Sequence, residues 1–505
     1  MNTNVQKLFD SLNQNQSKVI YSSAKQLLCL AGAGTGKTHT LVSKILYLTE
    51  ILKLHPSNIL ALTFTNSAGK EMEARYVLYA SNPDSRPFFG TFHSFCYNIL
   101  CSDISICKKL GYSNVPQIIN EVTEKTYITK AQMLSGVTLP AKCCSITYTP
   151  STRDKFKYTV FQNALNKLLI QDNKITFDRL CYNVSQLFID KDPLVIKYFQ
   201  KYTFICVDEF QDTDPIQWKF VQTFLKRSSI LLCGDIRQAL YSFRGADSSI
   251  LKSIVKDKSW EIIKLEDNYR STIEICRYAN NWVKQYNDDI PDIELKSIKH
   301  GPDVQFIKIS QFNEILSNIN FADFKSSAII CRTNQEVYQL CKQLDSCNIS
   351  YYTKSKSQFN NLIAAALDES FKREYLINKL PEIEKASLLR KLYMDSNYDP
   401  LIELSQKYPD TIRQIYELQD SDNFGQLRML FELKELTFDD LDYSNNLDRS
   451  LYVGTIHSVK GLEFDCVYVY GVNSTTFKIQ SNEDMMNLYY VACTRAKTSL
   501  IVIEA

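Results

Sequence analysis

Short apolar runs alternate with amphipathic segments along most of the chain. Clear examples lie at residues 27–30, 59–62, 204–207 and 230–233, and each is followed by a glycine-containing or polar segment. Runs of this length, bounded by turn-forming residues, are typical of strands that are buried on both faces of a parallel sheet. The pattern predicts an α/β fold in which parallel strands alternate with helices.

Two long stretches depart from this alternation. Residues 107–195 and 353–448 have a helical, charge-mixed pattern with little strand signal, which predicts mainly helical insertions. The predicted domains are a first core at residues 1–106 and 196–261, its insertion at 107–195, a second core at 262–352 and 449–505, and a reduced insertion at 353–448.

The composition argues against several classes of protein. Of the 505 residues, 45% are hydrophobic and 23% are charged, and no run approaches 18 uninterrupted apolar residues. The first residues have neither a basic segment nor an apolar leader. We therefore expect a protein that is neither secreted nor membrane-spanning. We expect it in the cytoplasm of a prokaryote, or otherwise in a nucleus or at a viral replication site.

Charge and cysteine content exclude only a few kinds of partner and site. The net charge of +2 leaves nucleic acid open as a partner, because binding needs only a local basic surface. The fifteen cysteines are spread from Cys29 to Cys493, form no C-x-x-C pair, and several lie inside predicted strands. We expect reduced core thiols, and neither a disulfide scaffold nor a metal or iron–sulfur site.

A glycine-rich turn between an apolar strand and an amphipathic helix predicts a phosphate-binding loop. Glycines let several backbone N–H groups point into one concavity, and the helix that follows adds the positive end of its dipole. Lys37 can then reach the β- and γ-phosphates, while the Thr38 hydroxyl can coordinate Mg²⁺. Ala31 stands where the strict pattern has its first glycine. The loop consists of Ala31, Gly32, Ala33, Gly34, Thr35, Gly36, Lys37 and Thr38.

Two adjacent acids end the apolar run at residues 204–207. Asp208 at the strand end can hold Mg²⁺ opposite Thr38, and Glu209 can orient and deprotonate an attacking water. Gln238 follows the next apolar run and can sense the γ-phosphate. Together with the phosphate-binding loop, these residues predict hydrolysis of a nucleoside triphosphate.

Other polar and aromatic residues follow strands of the same predicted sheets. Because ligands bind at the carboxyl ends of parallel strands, these residues belong to the working face of the molecule. Aromatics beside a basic residue form a stacking platform for single-stranded bases. Arg270 and Arg495 are expected to reach a phosphate from across a cleft. The residues at the ends of the first-core strands are Phe64, Thr91, His93, Tyr241, Phe243 and Arg244.

The order of these segments resembles that of superfamily 1 helicases of the UvrD/Rep/PcrA group. The similarity runs from Leu12 to the C-terminus. The segments that carry it are LNQNQ, AGAGTGKT, LTFTNSAGKEM, GTFHSF, VDEFQDTD, GDIRQALYSFRGA, LEDNYRST, GTIHSVKGLEF and YYVACTRA.

The resemblance implies two RecA-like domains and a role for each matching residue. Gln16 would read adenine, Tyr269 would stack on it, and Glu463 would contact the ribose. Lys37, Thr38 and Asp208 would hold the phosphates and Mg²⁺, and Glu209 would be the catalytic base. The residues expected to contact the γ-phosphate are Gln238, Arg270 and Arg495. Those expected to contact single-stranded DNA are Phe64, Thr91, His93, Tyr241, Phe243, Arg244 and His457.

The resemblance further implies an ATP-dependent DNA helicase or translocase with 3′ to 5′ polarity, acting in repair, recombination or replication. We expect ATP and Mg²⁺ as ligands, single strands and single-strand/duplex junctions as partners, and a monomer in solution. Three alternatives stay open. They are a non-catalytic subunit that binds single strands, a translocase that displaces proteins without unwinding, and an RNA-directed enzyme.

Overall fold

The structure is a computed structural model. It describes residues 3–140, 143–148, 150–241, 245–285, 293–316, 319, 321–353, 451–472 and 483–504. Residues 354–448 of the second predicted insertion therefore lie outside the described residues. Among the described helices, none has the length and apolar character that crossing a membrane would require.

Sixteen α-helices and thirteen strands are present among the described residues. The helices are α1 (Thr3–Asp10), α2 (Gln14–Tyr21), α3 (Lys37–Leu46), α4 (Asn66–Tyr79), α5 (Phe92–Ser102), α6 (Ile104–Lys109), α7 (Glu121–Ser135), α8 (Lys155–Gln171), α9 (Phe177–Ile189), α10 (Ile196–Lys201), α11 (Pro215–Gln222), α12 (Ser248–Lys256), α13 (Ile273–Lys284), α14 (Ile309–Ile315), α15 (Asn334–Ser346) and α16 (Glu483–Cys493). The strands are β1 (Gln26–Ala31), β2 (Ile59–Thr63), β3 (Phe88–Thr91), β4 (Gln117–Ile118), β5 (Lys174–Ile175), β6 (Phe204–Val207), β7 (Ser229–Gly234), β8 (Glu261–Leu265), β9 (Gln305–Lys308), β10 (Ser327–Cys331), β11 (Leu451–Thr455), β12 (Phe464–Val472) and β13 (Ala496–Glu504).

A six-stranded sheet organises the first part of the chain. Its strand order is β3-β2-β6-β7-β1-β8, and every neighbouring pair is parallel. Side chains on β1 alternate between two apolar clusters, with Leu28 and Leu30 in one and Leu27 and Cys29 in the other. Both faces of the sheet are therefore buried, and the carboxyl ends of its strands meet at one edge. The predicted parallel α/β fold is confirmed.

Residues 107–195 contain helices α7 to α9 and a short parallel pair formed by β4 and β5. Helices α7 and α8 enclose an apolar cluster of their own that includes Tyr127, Phe161 and Leu165. Helix α9 contributes Leu180 and Phe188 to the core of the six-stranded sheet. The first insertion is therefore anchored on the sheet through α9.

A second sheet has the strand order β11-β10-β12-β13-β9. Strand β10 is parallel to both β11 and β12, and β13 is parallel to β9. Every residue of β10 is buried, and helices α14 and α15 add Phe312 and Leu340 to the apolar cluster on this sheet. This sheet forms the framework of the second compact unit.

The contacts divide the chain at a different point from the predicted domain bounds. One compact unit contains the described residues of 1–304 and 474–498, and the other contains those of 305–473 and 499–505. The first unit extends beyond residue 261 because β8 pairs with β1, and Gly32 N–H donates to the Leu265 carbonyl (3.2 Å). Both Arg270 and Arg495 thus lie in the unit that holds the phosphate-binding loop.

All fifteen cysteines are free thiols, and twelve of them are buried. Cys29, Cys206 and Cys233 lie on adjacent strands of the first sheet, where they pack as small apolar side chains. Burial raises the pKa of the Cys276 thiol to about 12. Buried thiols of this kind are unreactive at neutral pH.

Candidate nucleotide-binding site

The phosphate-binding loop joins the end of β1 to the first turn of α3. Gly34 and Gly36 have φ values of 71° and 81°, a region that favours glycine. The Thr35 hydroxyl donates to the Gly32 carbonyl (2.8 Å) and closes the turn. Helix α3 then begins at Lys37, so its unpaired N–H groups face the loop. This arrangement can bind the phosphates of a nucleotide.

The segment after β8 holds the loop from outside. Asn268 Nδ2 donates to the Ala33 carbonyl (2.7 Å), and Tyr269 N–H donates to the Gly34 carbonyl (2.9 Å). A Cβ on Gly34 would lie 2.7 Å from Arg270 Cβ and 2.8 Å from Asn268 Nδ2. Gly34 is therefore required by this close approach as well as by its positive φ.

Lys37 lies among carboxylates at the carboxyl edge of the sheet. Its Nζ donates to the Ala31 carbonyl (3.5 Å). Burial opposes the charge on Lys37, but the nearby carboxylates of Glu209, Asp235 and Asp208 outweigh it and hold the pKa above its ordinary value. The ammonium group is therefore fully charged at neutral pH.

Thr38 and Asp208 meet at the position expected for a metal. Thr38 Oγ1 donates to Asp208 Oδ2 (3.4 Å), and Asp208 is 4% exposed. Burial, followed by repulsion from Glu209, raises the pKa of Asp208 to about 7, while Lys37 opposes the shift. A hydroxyl and a carboxylate are hard oxygen ligands, and a bound cation would favour the charged form of Asp208. These residues fit Mg²⁺.

Glu209 adopts an unusual backbone conformation next to this pair. Its φ of 50° and ψ of 41° lie in the left-handed region, which costs a non-glycine residue about 1–3 kcal/mol. Glu209 N–H donates to Asp208 Oδ1 (2.9 Å), and Gln211 Nε2 donates to Glu209 Oε2. The chain turns here into a short 3₁₀ helix at Phe210–Asp212.

A hydrogen-bonded chain leads from β7 to Arg495. Gln238 Nε2 donates to Asp235 Oδ2 (2.7 Å), and Arg495 Nη2 donates to Gln238 Oε1 (3.4 Å). Arg495 is 2% exposed, and its Nε donates to the Val491 carbonyl (3.0 Å). Burial and the charge of Arg270 lower the pKa of Arg495 to about 9, although Glu209 and Asp235 oppose this. A bound anion would compensate this buried charge.

Arg270 lies at the same edge of the site. Its Nη1 donates to the Thr494 carbonyl (3.2 Å), and its backbone N–H donates to Asn268 Oδ1 (2.9 Å). Arg270 and Arg495 are therefore brought together with Gln238 inside one compact unit. The sequence predicted that both arginines would reach the phosphate from across a cleft. Backbone hydrogen bonds to the phosphate-binding loop hold the Arg270 segment in the first unit, and the phosphate contacts of both arginines stay predictions.

The predicted adenine contacts lie beside the loop, but Gln16 is already hydrogen-bonded to protein. Its Oε1 accepts from Asn13 N–H (3.1 Å), and its Nε2 donates to the Thr35 carbonyl (3.2 Å). Asn13 Nδ2 donates to the Tyr269 hydroxyl (2.7 Å), and the Tyr269 side chain is half exposed. The exposed ring can stack on a base. The adenine role of Gln16 stays a prediction.

The predicted DNA contacts of the first unit are only partly brought together. Phe64 and Tyr241 stack, with ring centroids 4.6 Å apart and planes 18° apart. The Thr91 hydroxyl accepts from Ser94 N–H (3.0 Å) and caps α5. His93 meets Phe177 edge-on (5.8 Å), and burial lowers its pKa although Asp178 opposes this. Phe243 and Arg244 lie outside the described residues.

Two predicted residues belong to the second compact unit. His457 lies in the 3₁₀ helix Ile456–Val459, which begins where the Thr455 hydroxyl accepts from Ser458 N–H (3.4 Å). Glu463 is exposed in the loop before β12. Their predicted contacts with DNA and ribose stay predictions.

Comparison with known families covers almost all of the chain. The model described as the UvrD/REP helicase N-terminal domain matches residues 12–259. The model of the UvrD-like helicase C-terminal domain matches residues 263–362 and 368–505. The chain belongs to the UvrD/REP helicase family. The resemblance seen in the sequence is thereby confirmed.

Several bacterial proteins are similar to this UvrD/REP-family helicase over nearly its full length. A probable DNA helicase II homolog of Mycoplasma capricolum is 25% identical over 99% of this chain and 85% of its own length. The ATP-dependent DNA helicase PcrA of Leuconostoc citreum is 24% identical, covering 99% and 83%. The PcrA of Staphylococcus aureus is 25% identical, covering 99% and 84%.

Several polar residues that support the candidate site had no role assigned from the sequence. Asn268 holds the phosphate-binding loop, and Gln211 and Asp235 join the ends of β6 and β7. Asn487 on α16 is 1% exposed, and its Nδ2 donates to the carbonyls of Ile236 (3.3 Å) and Ala239 (3.2 Å). Asn487 is a polar residue within an apolar run, whereas the other three lie in polar segments after strands, where the local pattern does not distinguish them.

Proposed function

We propose that this helicase hydrolyses ATP with Mg²⁺ at the loop after β1. We further propose that it uses the energy to step along single-stranded DNA, 3′ to 5′, and to separate duplex strands. The observation that carries the proposal is the meeting of Lys37, the Thr38–Asp208 pair and Glu209 at one sheet edge. The names of the relatives, which include ATP-dependent DNA helicase PcrA, support ATP and DNA as the ligands.

The residues of the site divide the chemistry among them. Lys37 and the loop N–H groups would bind the phosphates, and Thr38 and Asp208 would hold Mg²⁺, which neutralises phosphate charge. Glu209 would orient the attacking water and accept its proton. Arg270 and Arg495 would stabilise the charge that develops on the transferred phosphoryl group, an effect worth about 10³–10⁵ in rate.

The stacked pair Phe64 and Tyr241 supports binding of single strands. Aromatic rings at the working edge of the sheet can stack on bases of any sequence, at about 1–3 kcal/mol per base. Tyr241 lies three residues after Gln238. One short segment would therefore contact both the γ-phosphate, through Gln238, and a base, through Tyr241. We propose a monomer acting on single strands and on single-strand/duplex junctions.

Steady-state ATP hydrolysis tests this proposal. Wild type is compared with Lys37→Ala in buffer alone, with single-stranded DNA and with single-stranded RNA. We expect strong stimulation by DNA, and a loss of about 10²–10³-fold in Lys37→Ala, because the variant lacks a preorganised cation at the phosphates. Unwinding of duplexes with a 3′ or a 5′ tail then tests polarity.

The other outcomes identify the alternatives. Single-strand binding without hydrolysis would favour the non-catalytic subunit, and hydrolysis without unwinding would favour a translocase that displaces proteins. Equal stimulation by RNA and DNA would contradict the preference for DNA.

A further inference from the structure

Gln211 joins the loop after β6 to the loop after β7. Its Nε2 donates to Glu209 Oε2, and its Oε1 accepts from Asp235 N–H (2.9 Å). Gln211 is 1% exposed, so water does not compete for either bond. A single buried amide therefore spans the gap between the proposed catalytic base and the segment that carries Gln238.

The orientation of this amide is fixed by its two partners. A carboxylate only accepts hydrogen bonds, and a backbone N–H only donates. The NH₂ group must therefore face Glu209, and the carbonyl oxygen must face Asp235. Glutamate has the same shape as glutamine but would lose the donor, and asparagine is one methylene shorter.

The surrounding chain leaves room for this amide and anchors it. A Cβ on Gly234 would lie 2.8 Å from Gln211 Oε1 and 3.3 Å from Gln211 N, so a side chain there would displace Gln211. Phe210 is 1% exposed and meets Trp218 edge-on, with ring centroids 5.5 Å apart. The 3₁₀ helix that carries Gln211 is thus held on both sides.

The bonds continue beyond Asp235 toward the phosphate side of the site. Asp235 Oδ2 accepts from Gln238 Nε2 (2.7 Å), and Gln238 Oε1 accepts from Arg495 Nη2 (3.4 Å). Glu209, Gln211, Asp235, Gln238 and Arg495 therefore form one connected series. In a buried polar series, the position of each member depends on its neighbours.

We propose that Gln211 is a positioning residue, whose amide holds the Glu209 carboxylate for attack on the γ-phosphate and ties it to the Gln238 segment. The inference rests on the proposed function, because it requires Glu209 to act as the base. Gln211 touches neither phosphate nor water in this role, and it acts through Glu209. Misplacing a reacting group by about 1 Å costs on the order of 10²-fold in rate.

The test compares Gln211→Glu and Gln211→Met with wild type in DNA-stimulated ATP hydrolysis. Gln211→Glu keeps the acceptor for Asp235 N–H and removes the donor, whereas Gln211→Met removes both at similar volume. We expect kcat to fall by about 10²-fold in both variants, with KM for ATP changed by less than about threefold. Nucleotide binding and thermal unfolding are measured on the same samples to confirm folding.

Gln217→Glu is the matched control. It makes the same chemical change six positions along, at a residue that is 7% exposed and whose Oε1 accepts from Asp214 N–H (3.3 Å) to cap α11. Glutamate keeps that acceptor, so we expect turnover like that of wild type. Loss of turnover in this variant as well would assign the effect to local packing and overturn the inference.

A double variant separates positioning from general destabilisation. If Gln211 acts through Glu209, then Gln211→Glu adds little to the loss already caused by Glu209→Gln. Independent, multiplying losses would overturn the inference, as would wild-type kcat in Gln211→Glu. Absence of turnover in wild type would instead overturn the proposed function, and the inference with it.

Discussion

The loops that follow β1 and β6 present charged groups at the same edge of one sheet, but they are held in different ways. In the phosphate-binding loop the left-handed conformations fall on Gly34 and Gly36, which adopt them without steric cost. In the loop after β6 the left-handed conformation falls on Glu209, the proposed catalytic base. The first loop uses permissive residues, and the second holds a strained residue in position.

The side-chain ties of the two loops differ as well. Asn268 Nδ2 donates to a backbone carbonyl of the first loop, Ala33 O, and therefore fixes the path of the chain. Gln211 Nε2 donates to the side chain of Glu209 in the second loop and therefore holds the proposed catalytic base. The proposed phosphate binding therefore depends on backbone shape, whereas the proposed catalysis depends on a buried hydrogen-bonded series.

Gly34→Ala is expected to give the largest effect on the first loop. The added Cβ would lie 2.7 Å from Arg270 Cβ at a φ of 71°, so overpacking of about 1–3 kcal/mol adds to a backbone cost of about 1–2 kcal/mol. We expect ATP binding and turnover to be lost, as measured by fluorescent-nucleotide binding and ATP hydrolysis.

Gly136→Ala is the control for that substitution. Gly136 also has a positive φ, 64°, but nothing lies within 4 Å of the position of its Cβ. This variant should lose only about 1–2 kcal/mol of stability, which is the cost of a left-handed backbone at alanine, and should keep its ATP turnover. Equal losses in the two variants would contradict the close packing of the Arg270 segment on the loop.

The sequence predicted the first loop far better than the second. Glycines at fixed spacing after an apolar run identify a phosphate-binding loop locally, and Lys37 and Thr38 lie where that pattern implies. In the loop after β6 the left-handed residue is Glu209 rather than a glycine, so the sequence carries no local mark of that conformation. The amide ties join residues 24 apart for Gln211 and Asp235, and 235 apart for Asn268 and Ala33. Neither pairing follows from local pattern.

For the fold as well, features with a local sequence pattern were predicted and features set by distant contacts were not. Alternating apolar runs were enough to predict parallel strands and helices, which the structure confirms. The bounds of the compact units were harder to predict from the sequence, because they depend on the pairing of β8 with β1 and on the contact between Arg495 and Gln238. Both join segments that lie more than two hundred residues apart in the chain.

Asn268→Asp is expected to have an intermediate effect. Aspartate keeps the acceptor for Arg270 N–H (2.9 Å) and Ser271 N–H (2.7 Å) but cannot donate to the Ala33 carbonyl. The unpaired carbonyl costs about 1–3 kcal/mol of stability, and the loosened loop should raise KM for ATP more than it lowers kcat. Chemical denaturation and steady-state kinetics measure the two effects.

Asn280→Asp provides the comparison for that variant. Asn280 also uses both ends of its amide, toward the carbonyl and the N–H of Leu295 (2.9 Å each). It makes no hydrogen bond to the phosphate-binding loop among the described residues, so a similar loss of stability should leave KM unchanged. A rise of KM in both variants would show that KM follows stability rather than the tie to Ala33.

The smallest effect tests the strained residue of the second loop directly. Glu209→Gly and Glu209→Ala both remove the carboxylate, and they differ only in how well they tolerate the left-handed conformation at φ 50° and ψ 41°. In a helix or strand, a protein with glycine is normally less stable than the same protein with alanine. At position 209 we expect the reverse, with Glu209→Gly more stable than Glu209→Ala by about 1 kcal/mol. Denaturation of the two variants measures the difference, and neither should hydrolyse ATP. If Glu209→Ala were as stable as Glu209→Gly, then Glu209 would not be held in the left-handed conformation. The second loop would then contain no strained residue to set it apart from the glycine-based first loop.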